Sequence, residues 1–457
     1  MKLHKIIVWA LVFFYVSFYT ACADEGNLRD DNRDGLKHEP RYVIIFVADG
    51  GGFNHIKSAD YYKCGTAPCQ DYEDFPVRLA MSTYSYGGSY DPNTAWSDFD
   101  YVTDGWTDSA AAATAMATGI KSYNAAIGVD VNGSPVTNLL ERAEQFGKST
   151  GVITSVPFSH ATPAGFSIHN ADRDNYKQIA ADMVNLSAAE VIMGGGHPFY
   201  TADGRIKNPP FYKYIGSSVW SNLISGNAGG DANGDGVADH WTFIETRGQF
   251  QALATGITPK RVFGVAQVYE TLQEKRSGSS GAPYQTSLIE TVPTLEEMTR
   301  AALNVLDEDP DGFFLMVEGG AVDWASHDQR LSRLIEEMLD FNKSIIAVCE
   351  WIEKNSNWGE TLVVITADHE TGYLTGPGSG QITDGPVWND VVNNGIGNLP
   401  TIEWHSGTHT NSLVPFVAKG RGAQLFKDRI VANDPVRGPY IDNTTVANVI
   451  FSLWSAD

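Results

Sequence analysis

The chain has 457 residues, 42% of them hydrophobic, enough for one large α/β domain with insertions or for two to three smaller domains. Its 55 acidic residues outnumber 32 basic ones, giving a net charge of −23. That balance excludes a basic nucleic-acid surface, and an anionic substrate would need a local positive centre such as bound metal.

The chain opens with Lys2 and Lys5, an apolar run over 6–18 and then Tyr19-Thr20-Ala21-Cys22, the order of a secretory signal. The run is too short to cross a bilayer. The small residues before Cys22 resemble a bacterial lipoprotein cleavage site, so residues 1–21 are read as a removable signal and Cys22 as a lipid attachment point, with ordinary signal cleavage as the alternative. Either way the protein is expected outside the inner membrane, periplasmic or anchored as a lipoprotein. Residues 22–40 read as a polar tether and 41–457 as the main domain.

A strand over 42–48 runs into Asp49. Cys64 and Cys69 flank a turn-like Gly-Thr-Ala-Pro, a spacing that suits a small loop disulfide in an oxidising compartment. An alanine-rich helix over 109–118 opens at Asp108-Ser109 and closes at Gly119. Taken alone, Ser109 is most simply an N-cap. A serine oxygen at a helix N-terminus also faces free backbone N–H groups and a positive dipole end, a favourable place for phosphate. After a helix over 136–146 and a strand over 151–156 come His160-Ala-Thr162 and Ala171-Asp172-Arg173-Asp174. They bring an imidazole, a hydroxyl and a guanidinium to one region, and arginine supplies paired hydrogen bonds to a phosphoryl group. An arginine between two aspartates also fits a surface ion pair.

A strand over 191–193 follows, and then residues 196–290, rich in Gly, Ser, Asn, Tyr and Trp, break the alternation. They read as a loop-rich insertion with irregular strands that decorates the core. Inside it, Asp231, Asn233, Asp235 and Asp239 occupy calcium-ligand positions of an EF-hand-like loop with a glycine at Gly236. Position twelve is Thr242, so Glu245 would have to replace the missing bidentate ligand, and a plain Asn/Asp/Gly turn is the alternative. Beyond a helix over 295–306, a strand over 313–317 ends at Glu318, and Asp323 and His327 stand four apart, on one face if helical. A helix over 331–352 carries Cys349 as a buried thiol. A strand over 361–367 ends at Asp368-His369, and either His405 or His409 could be a final ligand before a strand over 413–418. A helix over 445–453 closes the pattern.

The repeated order of strand, polar cluster and helix predicts a mainly parallel central sheet with helices on both faces, and ligands bind beyond the carboxyl ends of such strands. Asp49, Glu318 and Asp368 each follow a strand. One such acid is usually a cap or turn former, but three at one sheet edge, two with histidines close by, suit metals: mixed carboxylate and imidazole sets for zinc, oxygen sets for magnesium.

Seven segments, in order, carry a resemblance to the alkaline phosphatases over about 42–420: Val-Ala-Asp49-Gly, Thr-Asp108-Ser109-Ala, Ser-His160-Ala-Thr162-Pro, Ala-Asp172-Arg173-Asp, Val-Glu318-Gly-Gly-Ala-Val-Asp323-Trp-Ala-Ser-His327, Thr-Ala-Asp368-His369-Glu-Thr-Gly and Thr-His409-Thr-Asn-Ser. The resemblance implies an alkaline-phosphatase-like three-layer sandwich that hydrolyses phosphate monoesters to alcohol and inorganic phosphate, often as a homodimer. It implies one zinc on Asp323, His327 and His409, a second on Asp49, Asp368 and His369, and magnesium on Asp49, Thr162 and Glu318. Ser109 becomes the nucleophile that forms a phosphoserine, and Arg173 the clamp on the phosphoryl oxygens. His160 stands where enterobacterial members carry aspartate, and Trp324 where they carry lysine, which bears on the third metal. A diesterase would typically lack the equivalents of Arg173 and Glu318, and Ser109-Ala-Ala-Ala lacks the sulfatase motif. A noncatalytic, lipid-tethered protein that captures phosphate or metal is the reading from another class, and turnover separates it from an enzyme.

Overall fold

The computed structural model describes residues 39–232 and 236–455. The signal segment, Cys22 and nearly all of the tether lie outside these residues. Eight strands of the main sheet precede residue 367: β1 Tyr42–Val47, β2 Val77–Ser82, β3 Ser149–Pro157, β4 Val191–Gly195, β5 Thr242–Ile244, β6 Val262–Val265, β7 Phe313–Glu318 and β8 Thr361–Thr366. Three more, Val414–Gly420, Ala432–Asp434 and Gly438–Asp442, complete an 11-stranded sheet. The helices are α1 Phe53–Cys64, α2 Ser109–Thr118, α3 Leu139–Gln145, α4 Ala161–Ser167, α5 Tyr176–Asn185, α6 Ser217–Ile224, α7 Arg247–Leu253, α8 Leu295–Leu306, α9 Ala321–His327, α10 Leu331–Asn355 and α11 Thr445–Leu453. Among the described residues, no helix is long and apolar enough to cross a membrane.

At the centre β8, β1, β7, β3 and β4 run parallel. Every residue of β1 is buried, and its alternation decides the layers. Val43, Ile45 and Val47 pack with Ala110 and Ala113 of α2 and Ala164 of α4, whereas Tyr42, Ile44 and Phe46 pack with residues of α8 and α10. This is the three-layer α/β sandwich the sequence predicts. In register, Val47 lies opposite both Glu318 of β7 and Thr366 of β8. Asp49, Glu318 and Asp368 therefore emerge together at the carboxyl edge.

The 196–290 stretch departs from its reading as mere decoration. Its β5 and β6 continue the sheet parallel to β4, and α7 packs on α8. Both strands are too short, three and four residues, to show a period in the sequence. The buried Arg261 guanidinium anchors the region by donating to the carbonyls of Ser187, Ala189 and Asp239 at 2.8–2.9 Å. The strand expected over 413–418 forms antiparallel to both β2 and β8. Cys64 and Cys69 form a disulfide, and Cys349 is a buried thiol.

In the calcium-type loop, Asn233 and Asp235 lie outside the described residues. The Asp239 carboxylate pairs with Lys260 at 2.5 Å and accepts from the Ala232 N–H, while Asp231 accepts from the Gly236 N–H. Glu245 is engaged elsewhere, accepting from His197 and Gln267, and so is not free to replace the missing ligand.

Candidate active site

Helix α2 begins one residue earlier than the reading of Ser109 as its cap requires. Asp108 is the N-cap, its Oδ1 accepting from the Ala111 N–H at 2.9 Å, and Ser109 is the first helical residue. Its hydroxyl is thereby free of capping duty at the positive end of the helix. All ten residues of α2 are buried, and small side chains allow α4 to cross closely: a Cβ on Gly165 would lie 2.8 Å from the Ala113 Cβ. That approach fixes Ser109 relative to His160 and Thr162, which start α4.

Two groups of possible metal ligands form beside Ser109: Asp323, His327 and His409, and Asp49, Asp368 and His369. In the first, His327 Nδ1 donates to the Gly407 carbonyl at 2.8 Å and His409 Nδ1 to the Thr107 carbonyl at 2.9 Å. These bonds leave both Nε2 atoms unprotonated in the neutral rings and turned toward each other, 3.1 Å apart. Asp323 Oδ1 lies 3.3 Å from one and 3.5 Å from the other. Tetrahedral zinc bonds near 2.05 Å would set ligand atoms roughly 3.3 Å apart, so the triangle has the size of a zinc face. Two lone pairs at this distance repel unless a cation lies between them.

In the second group, His369 Nε2 lies 3.6 Å from Asp49 Oδ1, 3.2 Å from Asp368 Oδ2 and 3.2 Å from Ser109 Oγ. Asp368 Oδ1 accepts from the Gly50 and His369 N–H groups, but its Oδ2 and both Asp49 oxygens are buried without a hydrogen-bond partner among the described residues. Gly50 has φ +73°, and a Cβ there would lie 2.8 Å from the Asp323 Cα, so the loop after β1 needs glycine to pass this close. Thr371 links the groups, donating to Asp323 Oδ1 at 2.6 Å with its oxygen 3.3 Å from His369 Nδ1. The short pairing of His409–Thr410 with Glu370–Thr371 seats His409 over His369, their rings stacked at 3.6 Å.

A third set lies behind Asp49. Thr154 of β3 donates to Glu318 Oε2, whereas Glu318 Oε1, Thr162 Oγ1 and His160 Nδ1 are buried without a hydrogen-bond partner among the described residues. Orphaned polar atoms at this density are rare in folded proteins. Burial and the like charges of Asp368, Asp323 and Glu318 push the Asp49 carboxyl well above its ordinary range, and burial pushes Glu318 and Asp368 up to about 7. Burial, then the neighbouring His409, His327 and Arg173, holds His369 well below the usual imidazole range. Burial, then Arg173 and Lys213, does the same for His160. The carboxyls are thus poised to give up protons to a cation, and the rings are neutral ligands.

Arg173 donates to Asp108 Oδ2 at 3.1 Å, and its other guanidinium N–H groups make no hydrogen bond among the described residues. It shares a cavity of about 340 Å³ with Ser109, His160, Asp323, His327 and His409. A larger cavity of about 400 Å³ beside α1 contains neither Ser109 nor either ligand triad, so chemistry rather than volume selects the site. His405 is elsewhere, its Nε2 2.7 Å from Thr375 Oγ1, and only His409 joins a triad. The linking role of Thr371, the double role of Asp108 and the entry of Lys275 into the cavity are not read from the sequence. Only the Asp-Ser pair opening α2 carried a local signal for any of them.

A family model described as alkaline phosphatase matches residues 40–389. Over 475 aligned residues the chain is 31% identical to alkaline phosphatase 4 of Bacillus subtilis (strain 168), covering 91% of this chain and 89% of that protein. The solved alkaline phosphatase of the Antarctic bacterium TAB5 superposes with a TM-score of 0.63 at 26% identity, over 92% of this chain and all of that one. A TAB5 variant with a histidine replaced by aspartate, with magnesium bound in its M3 site, gives 0.63 at 25% identity, over 92% and 99% of the two chains.

Proposed function

The chain belongs to the alkaline phosphatase family, and from that premise we propose that it hydrolyses phosphate monoesters through a phosphoserine at Ser109, with two zinc ions and one magnesium as cofactors. The observation that carries the reading is the facing pair of Nε2 atoms of His327 and His409, 3.1 Å apart and beside Asp323, with each ring's Nδ1 bonded to a backbone carbonyl. Such an arrangement suits a soft-to-borderline divalent ion. Asp49, Asp368 and His369 would hold the second zinc. The unpartnered oxygens of Asp49, Thr162 and Glu318 fit a hard cation such as magnesium, with His160 alongside. The magnesium in the M3 site of the aspartate variant of the TAB5 enzyme supports a third site of this kind.

Bound there, the ions supply Lewis-acid stabilisation of the attacking and leaving oxygens. Ser109 gives its hydroxyl proton to solvent as its Oγ attacks phosphorus and the ester P–O bond breaks, and the departing alkoxide takes a proton from solvent. Water then breaks the Oγ–P bond, restoring the serine hydroxyl and releasing inorganic phosphate. The positive end of α2 lies at the growing charge, and Arg173, steadied by Asp108, holds the nonbridging oxygens through both steps.

The test is hydrolysis of a chromogenic phosphate monoester at alkaline pH by purified, metal-stripped and zinc- and magnesium-restored protein, with a diester and a sulfate ester as controls. The proposal expects loss and recovery on the monoester. Cleavage of the diester or sulfate ester alone would overturn the substrate class, and no cleavage at all would favour a binding protein.

Export across the inner membrane, a lipid at Cys22, a homodimer and a calcium-stiffened 231–239 loop belong to the same proposal. Mass spectrometry of the mature N-terminus, sedimentation and calcium titration test them in turn.

A further inference from the structure

Lys275 comes from the segment between β6 and α8, far in sequence from the residues of the phosphate site. Its side chain nevertheless lines the same cavity as Ser109 and Arg173. Its Nζ lies 2.6 Å from Asp328 Oδ2, directly after His327, and 3.7 Å from Glu274 Oε2. Arg330 closes a square, 3.6 Å from Glu274 Oε1 and 3.5 Å from Asp328 Oδ2.

Glu274 is fully buried, and neither of its oxygens accepts a hydrogen bond among the described residues. A buried carboxylate in that condition depends on cations beside it, so Lys275 is held against the cavity wall from inside the fold. The ammonium also lies 5.6 Å from the ring centroid of Trp324, whose ring is 5.7 Å from that of His160. Lys275 and Asp328 keep 26% and 33% of their side-chain exposure, so an entering anion can reach both. The cavity therefore has two cations, each paired with an aspartate: Arg173 with Asp108, and Lys275 with Asp328.

We infer that Lys275 is a second substrate-binding cation, which draws the phosphoryl dianion into the cavity and retains it alongside Arg173, while Asp328 tempers that affinity by competing for the same ammonium. The inference rests on the phosphoester reading of the site. Ester and product phosphate carry the same dianionic group, so Lys275 acts on both, and its effect falls on binding more than on the chemical step.

The experiment uses the zinc- and magnesium-loaded protein with Lys275→Met, Lys275→Arg and Asp328→Asn. It measures KM and kcat on a chromogenic monoester, the Kd of inorganic phosphate by calorimetry, and zinc content. Lys275→Met is expected to raise KM and the phosphate Kd together by about tenfold, the worth of one charge-assisted contact, with a smaller loss in kcat and full zinc. Lys275→Arg recovers most of the affinity. Asp328→Asn moves both constants the other way, by about threefold, because the ammonium loses its competitor.

Unchanged affinity in Lys275→Met, loss of zinc from it, or an Asp328→Asn that weakens phosphate binding would overturn the inference and make the square a structural device. If wild-type protein turned over no ester but bound phosphate in a Lys275-dependent way, the phosphoserine mechanism would fall and the assignment of Lys275 would stand.

Discussion

Replacing Arg173 with alanine removes the clamp on the phosphoryl group while sparing the helix that carries Ser109. Asp108 keeps two of its three partners in the variant, the N–H groups of Ala111 and Ala125, each at 2.9 Å. The α2 cap therefore survives, and the lost ion pair, whose partners keep 18% and 13% side-chain exposure, is worth about 1 kcal/mol of stability. The kinetic effect is larger. The guanidinium N–H groups that make no hydrogen bond among the described residues are available for two charge-assisted bonds to the phosphoryl oxygens, each about 1.5 kcal/mol at the low end. Together they make roughly 3 kcal/mol, or about two orders of magnitude in kcat/KM. The assay is steady-state hydrolysis of a chromogenic monoester by the metal-loaded variant, with its melting temperature and zinc content measured alongside. A loss below about threefold with zinc retained would refute Arg173 as the clamp. A large fall in melting temperature would show that it acts on the fold instead.

The pH dependence of the metal-stripped protein follows from Asp368 and Glu318, each raised to about 7 by burial. In the metal-free fold they keep protons that the unfolded chain has already released near pH 4, so their contribution to stability is whole below that pH and is lost as pH rises through 7. The gap in melting temperature between loaded and stripped protein should widen from pH 5 to 8, and a constant gap in a calorimetric series would contradict this. His160→Asp turns the third set into an oxygen-only site and should tighten magnesium binding about tenfold, read by titrating the stripped variant; weaker binding would count against His160 lying beside that ion.

The layers and the carboxyl edge were legible because β1, β7 and β8 are largely apolar runs that lead into Asp49, Glu318 and Asp368. The residues of both groups of possible metal ligands come together in the fold, with His409 rather than His405 in the first. Contacts made across long sequence distances were not legible. Thr371 is an unremarkable threonine until folding sets it between His369 and Asp323. Lys275 has no local motif and reaches the cavity only because β5 and β6 tie its segment to the sheet. The strand Val77–Ser82 was hidden because Arg78 interrupts a short apolar run, yet it joins the sheet between Val414–Gly420 and Gly438–Asp442.

The central claim is the covalent bond to Ser109, and the direct measurement is to quench the metal-loaded protein in acid during incubation with inorganic phosphate or a monoester and locate the added phosphate by peptide mass spectrometry. Ser109 is 2% exposed and its oxygen is 3.2 Å from His369 Nε2, so Ser109→Ala removes the nucleophile with little effect on packing. The account predicts phosphate on the peptide containing Ser109, none in Ser109→Ala, and turnover in that variant lower by about three orders of magnitude or more. Phosphate trapped on another residue, or a Ser109→Ala protein that hydrolyses monoesters at the wild-type rate, would contradict it.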